Sequence, residues 1–348
     1  MWVYAPEPST NKPKEFDSPQ IIISTILILI ILSLLIIHHK NPIKMPAISI
    51  KNLNYNYPDG TEALKNINLN ISRNESVAII GQNGSGKTTL LLHLNGIIEN
   101  NGDNIKILGL LINKKNINAI RSKVGVVFQD PDDQLFMPTV FDDVAFGPIN
   151  MNLSDCEVRR RVTASLKQVG MLGFENRFSH HLSFGEKKKI SLASVLSMDP
   201  EILALDEPTA NLDPKSRKDL IKIIRELKAN GKTIIIATHD INAIPKIVDR
   251  IYILNKSIIA EGTTKDIFMN TELIKSANLD IPDVAILFEI LSYFGYDCTD
   301  LPLTIDDAIE HLTKTIETKG GHIHLHVHEH THDEIEKFKK RYGHHEQV

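Results

Sequence analysis

The chain has 348 residues, 42% hydrophobic and 24% charged, enough apolar content to bury one large domain with appendages and too much for a disordered polypeptide. Its formal net charge of -4 offers no basic excess to neutralise a phosphate backbone, which excludes nucleic acid as the primary partner. Cys156 and Cys298 stand far apart with no partner motif, so a disulfide framework and a zinc ribbon are both excluded and a reducing, intracellular setting fits.

In chain order, the first feature is an almost unbroken run of Ile and Leu at residues 21–37, interrupted by Ser24, Thr25 and Ser33. As a helix it would cover roughly 26 Å, the short end of what a bilayer's hydrocarbon region demands. Lys40 and Lys44 follow it, whereas Lys12 and Lys14 before it are balanced by Glu15 and Asp17, so a single span would hold the remainder in the cytoplasm. The alternative is an over-extended start upstream of Met45. Residues 1–44 are therefore expected to be an N-terminal extension, with or without a membrane helix.

From residue 47 the pattern changes. Residues 47–53 and 66–71 alternate with period two and predict half-buried strands. Compact apolar runs at 77–80, 124–128, 202–205 and 233–237 predict buried parallel strands, and helical stretches such as 89–98 and 215–229 lie between them. The expectation is an α/β core, at residues 45–275, with its ligand at the carboxyl ends of the strands. Helices over 283–294 and 305–318 predict a small C-terminal domain at 276–319, followed by a His-rich tail at 320–348.

The chemistry sits where that core would place it. Gly81-Gln82-Asn83-Gly84-Ser85-Gly86-Lys87-Thr88 is a complete phosphate-binding loop between an apolar strand and a Leu-rich helix that opens with Thr89. The glycines let backbone N–H groups close around phosphates, the helix N-terminus adds its positive end, Lys87 reaches the terminal phosphates and Thr88 ligates magnesium. ATP and Mg2+ are thus the expected ligands, and an exported protein would find no ATP, which removes the reading of residues 21–37 as a secretory signal. A second apolar run ends in Asp206 and Glu207, placing one carboxylate to hold the magnesium shell and the other to act as general base. His239 follows the run at 233–237 and can reach the γ-phosphate or the attacking water.

Leu182-Ser183-Phe184-Gly185-Glu186, followed by the basic stretch Lys187-Lys188-Lys189, resembles the signature sequence of ABC ATPases. That resemblance implies a P-loop ABC ATPase fold: a mixed sheet core, an antiparallel β subdomain and a helical subdomain carrying the signature. It also implies a head-to-tail dimer, of the chain with itself or with a second ATPase subunit, in which Ser183 and the Gly185 amide contact ATP held by the partner. Phe184 and Glu186 depart from the usual Gly and Gln. Tyr57 resembles the aromatic that stacks on adenine, Gln129 the glutamine that senses magnesium and the membrane partner, and Asn211-Leu212-Asp213 the loop joining the two composite sites.

Residues 128–136 and 143–150 resemble, more narrowly, the ATPases of energy-coupling-factor transporters, in particular the cobalt/nickel branch. This implies a membrane-bound complex with a transmembrane coupling subunit and a substrate-capture subunit, the ATPase lying on the cytoplasmic face. Leu135, Phe136 and Met137 are expected either to contact the coupling helices or to belong to the core. His322, His324, His326, His328, His330 and His332 alternate along the tail and share one face of an extended chain, which can gather Ni2+ or Co2+ or remain a solvated tail. Two other functions compete with metal import: vitamin uptake through the same class of transporter, and a non-transport ABC ATPase. The interval from Lys87 to Ser183 leaves no room for the coiled coil of the latter.

Overall fold

β1 (Ile48–Asn56) and β2 (Glu62–Ile71) pair antiparallel, and their alternating residues bury Ile48, Ile50 and Leu53 against Ile67, Leu69 and Ile71. β3 (Ser76–Ile80) is buried at every position and leads through the loop at 81–86 into α1 (Lys87–Leu94). β4 (Ile105–Ile107) and β5 (Leu110–Leu111) complete a four-stranded sheet of order β2-β1-β4-β5. A short α2 (Ile117–Arg121) precedes β6 (Val124–Val127). Three helices follow and pack on one another: α3 (Val140–Asn150), α4 (Asp155–Gln168) and α5 (Phe184–Leu196). The chain returns through β7 (Ile202–Asp206), α6 (Pro214–Ala229), β8 (Thr233–Thr238), β9 (Arg250–Asn255) and β10 (Ser257–Thr263). It closes with α7 (Thr264–Met269), α8 (Thr271–Ser276), α9 (Asp283–Tyr293) and α10 (Ile305–Thr318).

This is a computed structural model, and it describes residues 45–99, 104–294, 296, 301–318 and 333–337. The apolar run at 21–37 and the alternating histidines from His322 to His332 lie outside the described residues. Among the described residues no helix is long and apolar enough to cross a membrane.

The second sheet has six strands in the order β10-β9-β3-β8-β7-β6, parallel from β9 to β6 with β10 antiparallel at the edge. Because side chains alternate across a strand, each central strand feeds two cores. Ala78, Ile80, Leu203, Leu205, Ile234 and Ile236 face the helical side. Val77, Ile79, Ile202, Ala204, Ile235 and Ala237 join Leu90, Leu94 and the inner face of the four-stranded sheet. Both faces are covered, which is why these runs read as continuous apolar stretches rather than alternating ones.

One sequence expectation changes. The helix expected over 89–98 spans Lys87–Leu94 instead, ending where Asn95 caps it and Gly96 takes φ +66°. The segment after residue 276 is continuous in packing with what precedes it: Ile281, Ala285 and Leu303 belong to the large core, while Phe288, Tyr296 and Ala308 form a small cluster of their own.

Candidate active site

Strand register gathers the chemistry at one edge of the six-stranded sheet. Ile80 pairs with Thr238, Asp206 with Ala237, and Val127 with Leu205, so the phosphate loop, the two carboxylates, His239 and Gln129 all emerge side by side at carboxyl ends. The loop needs Gly86: it adopts φ +101°, and a Cβ there would lie 2.6 Å from the Ala63 carbonyl oxygen. Lys87 Nζ donates to the carbonyls of Gly81 at 2.8 Å and Gln82 at 3.0 Å, placing an ammonium inside the cradle of backbone groups. Burial pulls that ammonium below the usual lysine value, against the opposing effect of Glu207 and Asp206.

Thr88 Oγ1 donates to Asp206 Oδ2 at 2.6 Å, while Asp206 Oδ1 is buried without a hydrogen-bond partner. Burial raises the Asp206 carboxyl above its usual range, partly offset by the Thr88 hydrogen bond. An orphaned carboxylate oxygen beside a hydroxyl is the hard-oxygen donor set that fits Mg2+ bound largely through water and phosphate. Among the described residues no cluster of three or more His, Cys, Asp or Glu could hold a metal alone, so a cation here would depend on the nucleotide's oxygens. Thr88, Gln129, Asp206, Asn211 and the Phe184 ring line a cavity of about 340 Å3.

Glu207 is nearly enclosed, at 4% exposure, and its backbone lies at φ +42°. Its carboxylate accepts from Thr238 Oγ1 at 2.9 Å, from the His239 amide at 3.1 Å and from His239 Nδ1 at 2.8 Å. With Glu207 ionised, the proton on that imidazole sits on Nδ1, leaving Nε2 as the other face of the ring. Tyr57 is partly exposed and its hydroxyl shares a 2.7 Å hydrogen bond with Thr89 Oγ1. The ring is thereby tethered to the first turn of the helix that the phosphate loop opens.

The signature residues and Asp213 form a second cluster around two helix N-termini. Ser183 caps α5 in a capping box, with Glu186 Oε2 accepting from both the Ser183 amide and hydroxyl at 2.8 Å. Asp213 caps α6 by accepting from the Lys215 amide at 2.9 Å and the Ser216 amide at 3.1 Å. A Cβ on Gly185 would lie 2.6 Å from Ser216 Oγ, so a glycine is what lets the two helix ends meet. The structure thus joins Thr88, Gln129 and Asp206 around one cavity and Glu207 with His239. It sets Ser183, Gly185, Glu186 and Asp213 at the two helix N-termini, with their chain neighbours Phe184 and Asn211 reaching that cavity.

Three residues were missed in the sequence. Thr238 ends β8 as a polar residue after an apolar run, a signal that was available. Lys188 donates to the Glu207 carbonyl at 3.0 Å and is 2% exposed, although its sequence is that of a solvated basic stretch. Asp143, also buried, accepts from the Phe136 and Met137 amides and from the Ser179 hydroxyl, which fixes the segment leading into α3.

A phosphate loop, a hydroxyl and carboxylate that fit a hard cation, and a buried carboxylate held by Thr238 and His239, all at the carboxyl ends of one sheet, are the features of a P-loop nucleoside triphosphate hydrolase. The family model described as ABC transporter matches residues 64–210. The energy-coupling factor transporter ATP-binding protein EcfA of Methanothermobacter thermautotrophicus is 47% identical over 268 residues, covering 76% of this chain and 86% of the relative. The protein of the same description from Methanocaldococcus jannaschii is 47% identical over 251 residues, covering 71% and 90%. Among solved structures, cbiO1 of Clostridium perfringens, described as part of the ABC transporter complex cbiONQ, is 43% identical with a TM-score of 0.60, covering 70% of this chain and 99% of that one. A dimeric bacterial ABC transporter cassette is 30% identical with a TM-score of 0.57, covering 62% and 98%. The chain belongs to the ABC transporter ATPases, in the family of energy-coupling factor ATP-binding proteins, and is an ATP hydrolase.

Proposed function

We propose that this chain powers cobalt or nickel uptake as the ATPase of an energy-coupling-factor transporter, bound at the cytoplasmic face of the membrane. Its nucleotide pocket opens beside a groove fit for a partner's helix, and that adjacency carries the reading. The groove, about 910 Å3, shares Phe128 and Asp133 with the cavity that holds Gln129 and Asp206. At its mouth Phe136 and Phe146 stand exposed, their rings edge to face at 5.0 Å. Exposed aromatics of this kind mark protein contact, and a coupling helix seated there would bear on the nucleotide pocket through Gln129. The cargo reading rests on the likeness of residues 128–136 and 143–150 to the cobalt/nickel branch and on the similarity to cbiO1.

On this reading each side chain has a distinct role. Loop amides and Lys87 hold the phosphates, and the Tyr57 ring stacks on adenine. Thr88 and Asp206 would hold Mg2+, which when bound neutralises charge on the β- and γ-phosphates. Glu207 takes the proton from the attacking water as the water oxygen bonds to the γ-phosphorus and the bond to the β-phosphate oxygen breaks. His239 orients the carboxylate from one side. In a head-to-tail dimer Ser183 and the Gly185 amide of one protomer close over the nucleotide of the other, and Asp213 adjoins that seam.

The test is Ni2+ and Co2+ uptake into vesicles carrying the assembled transporter, with the wild-type chain or Glu207→Gln. Metal uptake that collapses together with hydrolysis supports the reading. Hydrolysis with no metal moved overturns the cargo and leaves vitamin transport or a non-transport role.

A further inference from the structure

Buried lysines are rare, because desolvating an ammonium is costly unless it is well paired, and apolar residues of similar size in place of buried charges are often neutral or stabilising. Lys188 is among the largest fully buried side chains in this protein. With Val127, Leu192, Leu205, Pro208, Leu220 and Ile224 it lines a small apolar void of about 10 Å3. Its neighbours on α5 point elsewhere: Lys187 pairs with Asp132 at 2.6 Å and Lys189 with Asp219 at 2.9 Å, as expected when successive helical residues turn by about 100°. Lys188 alone is turned inward, towards Asp206, Glu207 and Asp130, with the Phe184 ring 5.9 Å away along the same helix.

What it meets there is the backbone of the hydrolytic residue. Glu207 occupies a left-handed conformation that is strained for a residue with a Cβ, and such a conformation persists only where the surroundings hold it. Its amide is held by the Ala237 carbonyl at 2.8 Å. Its carbonyl accepts from Lys188 Nζ at 3.0 Å and from the Ala210 amide at 3.2 Å. The Lys188 contact is the one brought by α5, whose cap is Ser183.

Resting on the assignment of Glu207 as general base, we propose that Lys188 is a positioning residue for hydrolysis. Its ammonium locks the Glu207 backbone and so aims the carboxylate at the attacking water, and it joins the signature helix to the base in the same protomer. Lys188 is buried and reaches the Glu207 backbone carbonyl rather than its carboxylate, so its effect is expected on kcat and not on nucleotide affinity.

The experiment compares wild type, Lys188→Met, Glu207→Gln and the double variant in the assembled transporter. It measures steady-state and single-turnover ATP hydrolysis together with equilibrium binding of ATP. Lys188→Met is expected to lower kcat by about tenfold or more while ATP affinity stays within about twofold. In the Glu207→Gln background a positioning residue has nothing left to position, so the double variant should hydrolyse at the rate of Glu207→Gln alone. A Lys188→Met kcat near wild type, a parallel loss of affinity, or a double variant well below Glu207→Gln would each overturn the proposal. Wild-type hydrolysis by Glu207→Gln would instead overturn the assignment of the base on which it rests.

Discussion

At the scale of single residues the site is a set of buried charges held by named partners, and each makes a distinct prediction. Glu207→Gln keeps the volume and one acceptor but cannot take a proton, so kcat should fall by about a hundredfold or more with ATP binding retained; retained turnover in single-turnover assays would rule it out as the base. Thr238→Val removes the hydroxyl that donates to Glu207 Oε2 at 2.9 Å and should cost a smaller fraction of kcat. Lys188 makes a pH prediction. Burial brings its ammonium down to about 8, whereas a lysine in the unfolded chain titrates near about 10.4. Between these values the unfolded state binds more protons, so stability rises with pH across the window, by on the order of 3 kcal/mol. The cost of the buried charge is complete below about pH 8 and gone above about pH 10.4. Denaturant unfolding of wild type and Lys188→Met over that range should show the rise in wild type only, and parallel curves would contradict the assignment. Asp206 and Glu207 were legible in the sequence because an apolar strand runs straight into them. Lys188 was not, because three lysines in a row look alike until the helix turn sends each to a different side.

Between residue and molecule stands the element, and here the groove depends on one carboxylate. Asp143 is buried at the start of α3 and accepts from the Phe136 amide at 3.0 Å, the Met137 amide at 2.9 Å and the Ser179 hydroxyl at 2.5 Å. Asp143→Ala strands all three donors in a dry site, which should cost about 3 kcal/mol of stability and loosen the Phe136 edge of the groove. Chemical unfolding midpoints measure the first effect, and loss of partner-stimulated hydrolysis beyond loss of basal hydrolysis measures the second. An unchanged midpoint would show that the segment is held by other contacts. The strands that carry the site were readable for a simple reason: burial on both faces makes β3, β7 and β8 unbroken apolar runs. β4 and β5 are too short to show a period, and the end of α1 is set by Gly96 rather than by the apolar pattern, which continues through Ile97 and Ile98. Asp143 escaped notice because an acid in the first turn of a helix is also what an exposed N-terminus prefers.

For the whole molecule the question is what controls closure of one cassette on another, and Glu186 is one of the two positions, with Phe184, at which the segment 182–186 departs from the signature it resembles. Hydrogen bonds from the Ser183 amide and hydroxyl hold the Glu186 carboxyl below its usual range, so it is an anion at neutral pH. In the proposed head-to-tail dimer that anion lies beside the partner's γ-phosphate, and the Ser183 hydroxyl must leave it to donate to phosphate. Closure therefore works against like-charge repulsion and a hydrogen bond already made. Glu186→Gln removes the charge but keeps a carbonyl oxygen for the Ser183 amide, so the capping box survives with a loss of about 0.3–1 kcal/mol in helix-dipole interaction. In a Glu207→Gln background, where ATP is not consumed, the added variant should tighten ATP-dependent dimerisation by about tenfold, the equivalent of about 1.4 kcal/mol. Sedimentation velocity against protein concentration measures it. The advantage should shrink as salt is raised, since a partly exposed charge is screened within about 10 Å at 0.1 M salt. Equal dimer affinities at low salt would place Glu186 away from the partner's phosphate and remove the head-to-tail arrangement from the reading of this chain.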